Sequence, residues 1–361
     1  MTTSIPTPND GGTTPHEPFP VCVLGLGLIG GSLLRDLADA GWPAFGWNRS
    51  ASTVEDATAA GYDASADLAA TLRRAESAGA LIVLGVPVPA LPSLLDAIQL
   101  HSPSLGFTDV TSVKGEVHDL VEERGMSDRF VGGHPMAGTT ESGWSATLTG
   151  LFRTAVWVVT YDQVAGGVSQ VGAAGGAGAA QLNPLWLQTF TRVVQLAETV
   201  GAVVIPSRAQ RHDSAVARIS HLPHVFAETL AITGDQGGPL SLALAASSFR
   251  DMTRVAGTAP GLVRAMCENN RETLLKALDE SLELLTAARD SLADPSGDLA
   301  DLTELGFAAH HRYRSRDAAG QKHVLDAMHG AHPVIRVRPG AKGWVDQLRS
   351  AESIGARIAI F

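Results

Sequence analysis

Several function classes are excluded by what this sequence lacks. Its 361 residues include only two cysteines, Cys22 and Cys267. Two thiols cannot build a disulfide framework, although one bridge between them stays formally open, and such sparse use fits a reducing cytoplasm, the expected location. Charged residues make up only 18%, with 37 Asp plus Glu against 27 Lys plus Arg and a formal net charge of -10. No run of Lys or Arg interrupts this acidic balance, so neither nucleic acid nor a membrane surface is an expected partner. No apolar stretch reaches the roughly 18–20 residues that a membrane span needs. Residues 1–18 have no apolar core of the signal-peptide kind and read as a disordered leader.

What is present is the material of a large core. Hydrophobic residues make up 45% of the chain, and its length suggests two domains. From Pro20 onward, short apolar runs alternate with amphipathic stretches. Val21–Leu24, Pro43–Trp47, Ala80–Val86, Gly106–Val110, Phe130–Gly132 and Ala155–Thr160 read as buried strands. Helical stretches at 30–40, 52–60, 66–76, 89–99 and 113–124 separate the earlier ones, which predicts a parallel sheet with helices on both faces. Residues 163–183, nearly all Gly, Ala, Val and Ser in their centre, read as a surface loop.

A helix over Pro184–Val200 and a strand over Ala202–Ile205 follow, and after Pro206 strand-like runs stop. Helical periodicity then holds over 208–232, 239–256 and 260–292. Leu275, Leu278, Leu282, Leu285 and Leu292 form a stripe that must pack on another helix, either of this chain or of a second subunit. The expected organisation is therefore a dinucleotide-binding domain over 19–206 and a helical substrate and dimerisation domain over 207–312. Residues 313–361 are a tail of unassigned role that ends in a strand-like Ala356–Phe361.

The dinucleotide assignment rests on Gly25-Leu26-Gly27-Leu28-Ile29-Gly30, which follows the first strand and opens the first helix. That context turns a weak glycine pattern into a nucleotide signature. Gly25 permits the turn, Gly27 lets the backbone approach a pyrophosphate, and Gly30 lets helix and sheet pack closely. The helix N-terminus that follows offers free N–H groups to the phosphates, with Leu28 and Ile29 in the loop counted among the cofactor-binding residues. The fold class is thus an α/β Rossmann-type N-terminal domain with a parallel-sheet core, followed by an all-α C-terminal domain. A carboxylate at the tip of the second strand would select NAD, but Asn48-Arg49-Ser50 stands there. Arg49 and Ser50 suit a 2′-phosphate, so NADP is favoured over NAD.

Two further segments fall at the carboxyl ends of strands, where ligands of open α/β sheets gather. These are Asp109-Val110-Thr111-Ser112-Val113-Lys114 and Gly133-His134-Pro135-Met136-Ala137-Gly138. His134, held in a Gly/Pro-rich loop, is a candidate proton acceptor because an imidazole titrates near neutrality. Lys114 stands either near phosphate or substrate or simply in a first helical turn. His310 and His311 read as solvated, and the histidines lack the companions of a metal site.

Together with the glycine loop, His212-Asp213, Ser220-His221-Leu222-Pro223-His224 and Phe249-Arg250-Asp251-Met252-Thr253-Arg254, these segments resemble the prephenate dehydrogenase family, which also includes arogenate and cyclohexadienyl dehydrogenases. The match runs over about residues 20–290, in the family's order. The resemblance implies an NAD(P)-dependent oxidoreductase of tyrosine biosynthesis that converts prephenate to 4-hydroxyphenylpyruvate. It implies that His134 takes the proton of the ring hydroxyl, that Ser112 orients His134 and touches the same hydroxyl, and that Arg254 binds a substrate carboxylate. His224 would line the pocket near the substrate side chain, supported by His212 and His221. An acidic residue that the family often carries after the His-Pro loop is shifted here to Glu141, which is left out of the site. An arogenate-specific enzyme would share nearly every motif, and a non-catalytic dinucleotide sensor is the remaining alternative. The expected partners are a small-molecule substrate and a second copy of the chain, joined through the helical domain.

Overall fold

The structure, a computed structural model, describes residues 16–139, 141–165, 182–320 and 333–361. Most of the leader, most of the Gly/Ala-rich loop and residues 321–332 of the tail lie outside the described residues. The first part of the chain runs β1 (Val21–Leu24), α1 (Leu28–Asp39), β2 (Ala44–Trp47), α2 (Ala51–Ala59), β3 (Ala64–Ser65), α3 (Leu68–Ala78), β4 (Leu81–Leu84), α4 (Leu91–His101), β5 (Phe107–Asp109), α5 (Gly115–Glu122) and β6 (Phe130–Val131). These strands form one parallel sheet in the order β3-β2-β1-β4-β5-β6. Every residue of β1 and β4 is buried, so helices cover both faces and both strands read as unbroken apolar runs. The strand order reverses between β1 and β4, and the crevice at their carboxyl ends is where such sheets bind ligands.

A second, smaller sheet follows. β7 (Gly133–Pro135) pairs antiparallel with β8 (Val156–Thr160); after α6 (Asp162–Ala165) and α7 (Pro184–Thr199), β9 (Val203–Ser207) pairs parallel with β8. The run at 155–160 is a strand as expected, but it does not extend the parallel series. No helical crossover separates it from β7, and an antiparallel partner needs none. The chain between β7 and β8 instead folds back over α1. Ser32 Oγ accepts from Leu148 N at 2.9 Å, and Asp36 Oδ1 accepts from Gly150 N at 2.6 Å. Arg35 donates to Thr147 Oγ1 at 2.7 Å, with its guanidinium 4.4 Å from the ring centre of Trp144. The glycine-loop helix and the stretch after His134 are therefore fastened together.

The helical region holds α8 (Ala209–Val216), one π-helical turn over Ala217–His221, α9 (Leu222–Gln236), α10 (Gly238–Ala243), α11 (Ser247–Thr253), α12 (Pro260–Glu268), α13 (Arg271–Ala293) and α14 (Ala300–Gly320). Its own core is small, built on Ala217, Leu222, Leu274 and Ala277. The leucine stripe of α13 faces outward, since Leu275, Leu282, Leu285 and Leu292 are all exposed in the protomer. Only Leu278 packs inward. None of the described helices is long and apolar enough to cross a membrane.

The end of the chain has a fold of its own. β10 (Val334–Val337), α15 (Trp344–Ile354) and β11 (Arg357–Ile360) form a parallel strand pair with a helical crossover. Val337, Trp344, Leu348, Ala351 and Ile358 join the core built by Trp186, Phe190 and Val204. Each large side chain buried there contributes about 1.5–3 kcal/mol. Glu352 of α15 is the polar tie, accepting from Arg208 N at 2.7 Å and from Tyr161 Oη at 2.8 Å, with Arg208 Nε 3.1 Å away. Replacing Glu352 by Ala leaves the buried Tyr161 hydroxyl and the half-buried Arg208 N–H without that acceptor. The expected loss is about 1–3 kcal/mol of stability, read as a lower urea midpoint at unchanged slope.

Candidate active site

At the nucleotide end, two glycines are required by space. A Cβ on Gly30 would stand 2.0 Å from Gly25 O, and Gly25 itself has φ +105° beside Gly85. A Cβ on Gly27 would meet nothing within 4 Å, so that side of the loop is open toward the crevice. The first bond of α1 runs from Gly31 N to Gly27 O at 2.7 Å, which leaves the N–H groups of Leu28, Ile29 and Gly30 free for an anion. A dinucleotide pyrophosphate fits this loop. Across the crevice, Ser50 caps α2 by accepting from Thr53 N at 3.4 Å, and its hydroxyl also meets Ser52 Oγ at 2.8 Å. Arg49 is exposed, and Asn48 N is bonded to Ser65 O at 3.2 Å.

His134 lies in the middle of β7 opposite Val158, in a short strand rather than the loop expected from its Gly and Pro neighbours. Both backbone groups of Gly133, the residue before it, are held by a buried ion pair. Gly133 N donates to Asp109 Oδ1 at 3.1 Å, and Lys114 Nζ donates to Gly133 O at 2.6 Å. Lys114 Nζ is also bonded to Asp109 Oδ2 and donates to Thr111 Oγ1 at 3.2 Å. Lys114 is thus no surface residue but a fully buried pin. Burial pushes its ammonium below the ordinary lysine value, against the pull of Asp109 and Asp213.

The ring of His134 is half-buried, and its Nδ1 lies 2.8 Å from His212 Nε2. His212 Nδ1 lies 2.8 Å from Asp213 Oδ1. Asp213 also accepts from Lys114 N at 2.8 Å and from Gly115 N at 2.7 Å, at the N-terminus of α5. Burial works against the charge of Asp213, but the bonds from His212, Gly115 and Lys114 outweigh it and hold the carboxyl below its ordinary value. Sequence reasoning placed His212 beside His224, whereas the structure places it on His134. Ser112 was expected to orient His134; among the described residues no hydrogen bond joins the two. Ser112 stands half-buried between β5 and α5 with its hydroxyl uncommitted.

Asn270, at the start of α13, ties this group to the helical region. Its Nδ2 donates to Asp213 O at 2.9 Å and lies 3.1 Å from His221 Nδ1. His221 neighbours His224, and His224 neighbours Arg254 in the turn after α11. Burial lowers His224 against the pull of Glu228 and the Val255 backbone, and the positive Arg254 adds to that lowering. His224 Nδ1 is buried with no protein partner, and Arg254 is exposed. The site thus has two groups, His134 with His212, Asp213 and Lys114, and His224 with Arg254, linked through His221. Asp109 entered the sequence reading as part of a motif without a role of its own, and Asn270 did not enter it at all. The signal for Asn270 is contact between segments 49 and 57 positions apart.

Two family models match the chain. One is described as prephenate dehydrogenase, nucleotide-binding domain, over residues 44–171, and the other as prephenate dehydrogenase, dimerization domain, over residues 208–305. A presumed prephenate dehydrogenase of Corynebacterium glutamicum, of known structure, is 52% identical with a TM-score of 0.85, over 95% of this chain and 99% of that one. The arogenate dehydrogenase of Synechocystis is 29% identical with a TM-score of 0.63, over 83% of this chain and 99% of that one. The prephenate dehydrogenase of Lactococcus lactis is 28% identical over 291 residues, 76% of this chain and 73% of that protein.

The buried histidines couple stability to pH. Burial, followed by the charges of His212, Lys114 and His221, holds His134 well below 6.5. Burial, opposed by Asp213, holds His221 down to about 4. Unfolded histidines titrate near 6.5, so between 6.5 and 4 the unfolded chain binds protons that the folded one refuses. This contribution is complete above 6.5 and is lost as pH falls. For His221 alone the linkage reaches about 2 kcal/mol at pH 5. Asp36, Asp162 and Glu198, buried carboxyls with raised values, act in the opposite sense. The clean measurement is therefore a comparison: between pH 7 and 5, Tm should fall more steeply in the parent protein than in His221→Asn.

Proposed function

The chain belongs to the prephenate dehydrogenase family of oxidoreductases, and we propose that its own reaction is the oxidative decarboxylation of prephenate to 4-hydroxyphenylpyruvate. The observation that carries this reading is His134, a partly buried imidazole whose Nδ1 is engaged by His212 Nε2 at 2.8 Å and which burial, helped by the ammonium of Lys114, keeps neutral. A neutral imidazole there can receive the proton of a substrate hydroxyl.

The residues divide the work as follows. Gly25, Gly27, Leu28, Ile29 and Gly30 would hold the pyrophosphate at the N-terminus of α1, and Asn48, Arg49 and Ser50 would hold the adenosine end. When bound, the nicotinamide supplies a two-electron acceptor for the hydride. His134 takes the hydroxyl proton as the hydride leaves the same carbon, and the hydroxyl becomes a ketone. The bond to the ring carboxylate then breaks, carbon dioxide departs, and its electron pair completes the aromatic ring and moves the carbonyl pair onto oxygen, which takes back the proton held by His134 to become the phenol. Ser112 offers a hydrogen bond to the reacting oxygen. Arg254 binds a carboxylate through its planar fork, and His224 lines the side-chain end.

Arogenate, with an amine in place of the side-chain ketone, is the second reading, favoured by the likeness to the Synechocystis arogenate dehydrogenase. NADP is the proposed cofactor over NAD, because no carboxylate stands at the tip of β2 and Arg49 makes no ion pair among the described residues. The proposed assembly is a homodimer through the helical region. It is supported by the exposed leucines of α13 and the dimerization-domain match over 208–305. Within the protomer, the division near Pro206 falls at the end of β9, and the chain's last element, β11, returns to the first half.

A four-way assay of prephenate or arogenate with NAD or NADP tests substrate and cofactor together. The highest kcat/KM is expected for prephenate with NADP, and a tenfold preference for NAD would overturn the reading of Asn48–Ser50. His134→Asn should lower kcat by about 10²–10⁴-fold with KM little changed, whereas Arg254→Ala should chiefly raise KM.

A further inference from the structure

We propose that His212, held by Asp213, is a positioning residue that fixes the tautomer of His134 and so makes His134 Nε2 the basic nitrogen. The inference rests on the reading of His134 as proton acceptor and adds what makes it one.

The argument follows the hydrogens. Ionised Asp213 can only accept, and it receives His212 Nδ1 together with the backbone N–H groups of Lys114 and Gly115. A neutral His212 therefore carries its proton on Nδ1 and presents a bare Nε2. That bare nitrogen lies 2.8 Å from His134 Nδ1 and can only accept from it. His134 must then carry its proton on Nδ1, which leaves Nε2 with the free lone pair. In the opposite arrangement Nε2 would bear hydrogen and could take no proton from a hydroxyl.

The surroundings favour this order. The groups facing His134 are His212 and Asp213 from α8, Lys114 and its partner Asp109 from the β5–α5 connection, and His221 from the π turn. Lys114, fully buried, opposes a second fixed positive charge in the resting site. After the proton arrives, the charge on His134 has Asp213 one ring away, with Nδ1 still donating to His212. This arrangement obeys the physics of a buried His–carboxylate pair, in which the carboxylate orients the ring and stabilises the imidazolium without taking the proton itself. Asn270 keeps the register by bonding the Asp213 carbonyl and His221 at once.

The decisive variant is Asp213→Asn. An asparagine has one acceptor oxygen for three donors; with that oxygen on Gly115 N, its amide nitrogen gives up the Lys114 N bond and donates to His212 Nδ1, which moves the His212 proton to Nε2, reverses the next bond and blocks His134 Nε2 with hydrogen. The expected result is a folded protein whose kcat falls by about 10²-fold or more, with KM for substrate and dinucleotide within about threefold. In the parent protein, ¹⁵N resonances of His134, assigned through His134→Asn, should show a protonated Nδ1 and a bare Nε2 at neutral pH. In Asp213→Asn the two should exchange. A protonated Nε2 in the parent, or a folded Asp213→Asn with kcat within about threefold of the parent, overturns the proposal. Should Asp213→Asn not fold, the parent spectrum decides alone. If His134→Asn leaves kcat unchanged, the base assignment itself is wrong; if His134→Asn lowers kcat and Asp213→Asn does not, only the relay is wrong.

Discussion

The architecture around the site depends on one buried ion pair, Lys114 with Asp109. Taking an ammonium and a carboxylate out of water costs several kcal/mol for each ion, and their attraction repays this only when the remaining donors and acceptors are met. Here they are met. The ammonium is bonded to Asp109, Gly133 O and Thr111, while Asp109 also receives Gly133 N and Thr111 N. The pair thereby takes both backbone groups of Gly133 and sets where β7 begins. Lys114 spends its own N–H on Asp213, which brings α8 against the start of α5. A single side chain and its backbone thus join the end of the large sheet, the edge of the small sheet and the first helix of the helical region.

Much of the fold was legible in the sequence because the cues are local. β1 and β4 read as strands because burial on both faces demands unbroken apolar runs, and the glycine loop reads as a nucleotide turn because strand, turn and helix are contiguous. β3, the two residues Ala64 and Ser65, carries no such run. β10 escaped for another reason: only Val337 of its four residues is buried, and Arg336 breaks the apolar pattern. What makes it a strand is β11, and what makes the pair stable is Trp344 seated on Phe190 and Trp186. The α13 leucines show the limit of periodicity, which reveals a stripe without naming what covers it.

The site divides along the same line. Residues near one another in sequence, such as Gly25 to Gly30, could be assigned from spacing. His134 and His212 are 78 positions apart, and Asp213 is 99 from Lys114, so no spacing rule reaches either contact. The resemblance supplied the motifs but grouped His212 with its neighbours in sequence. Only nearness along the chain supports that grouping, because on a regular helix twelve residues leave His212 and His224 about 120° apart. The structure follows the angle rather than the nearness: His212 meets His134 on the small sheet, whereas His224 feels Arg254.

The contact between His134 and His212 adds a side-chain link to the bonds from backbone N–H groups that already join two parts of the molecule. β7 belongs to the body that carries the glycine loop, fastened to α1 through Ser32, Arg35 and Asp36. α8 belongs to the helices that carry His224 and Arg254. Asp213 accepts from Lys114 N and Gly115 N on one side of α8 while His212 meets His134 on the other, so one turn of helix is clamped from two directions. The hydrogen-bond run that sets the imidazole thus crosses a seam, and whatever loosens the seam reaches the base without touching it.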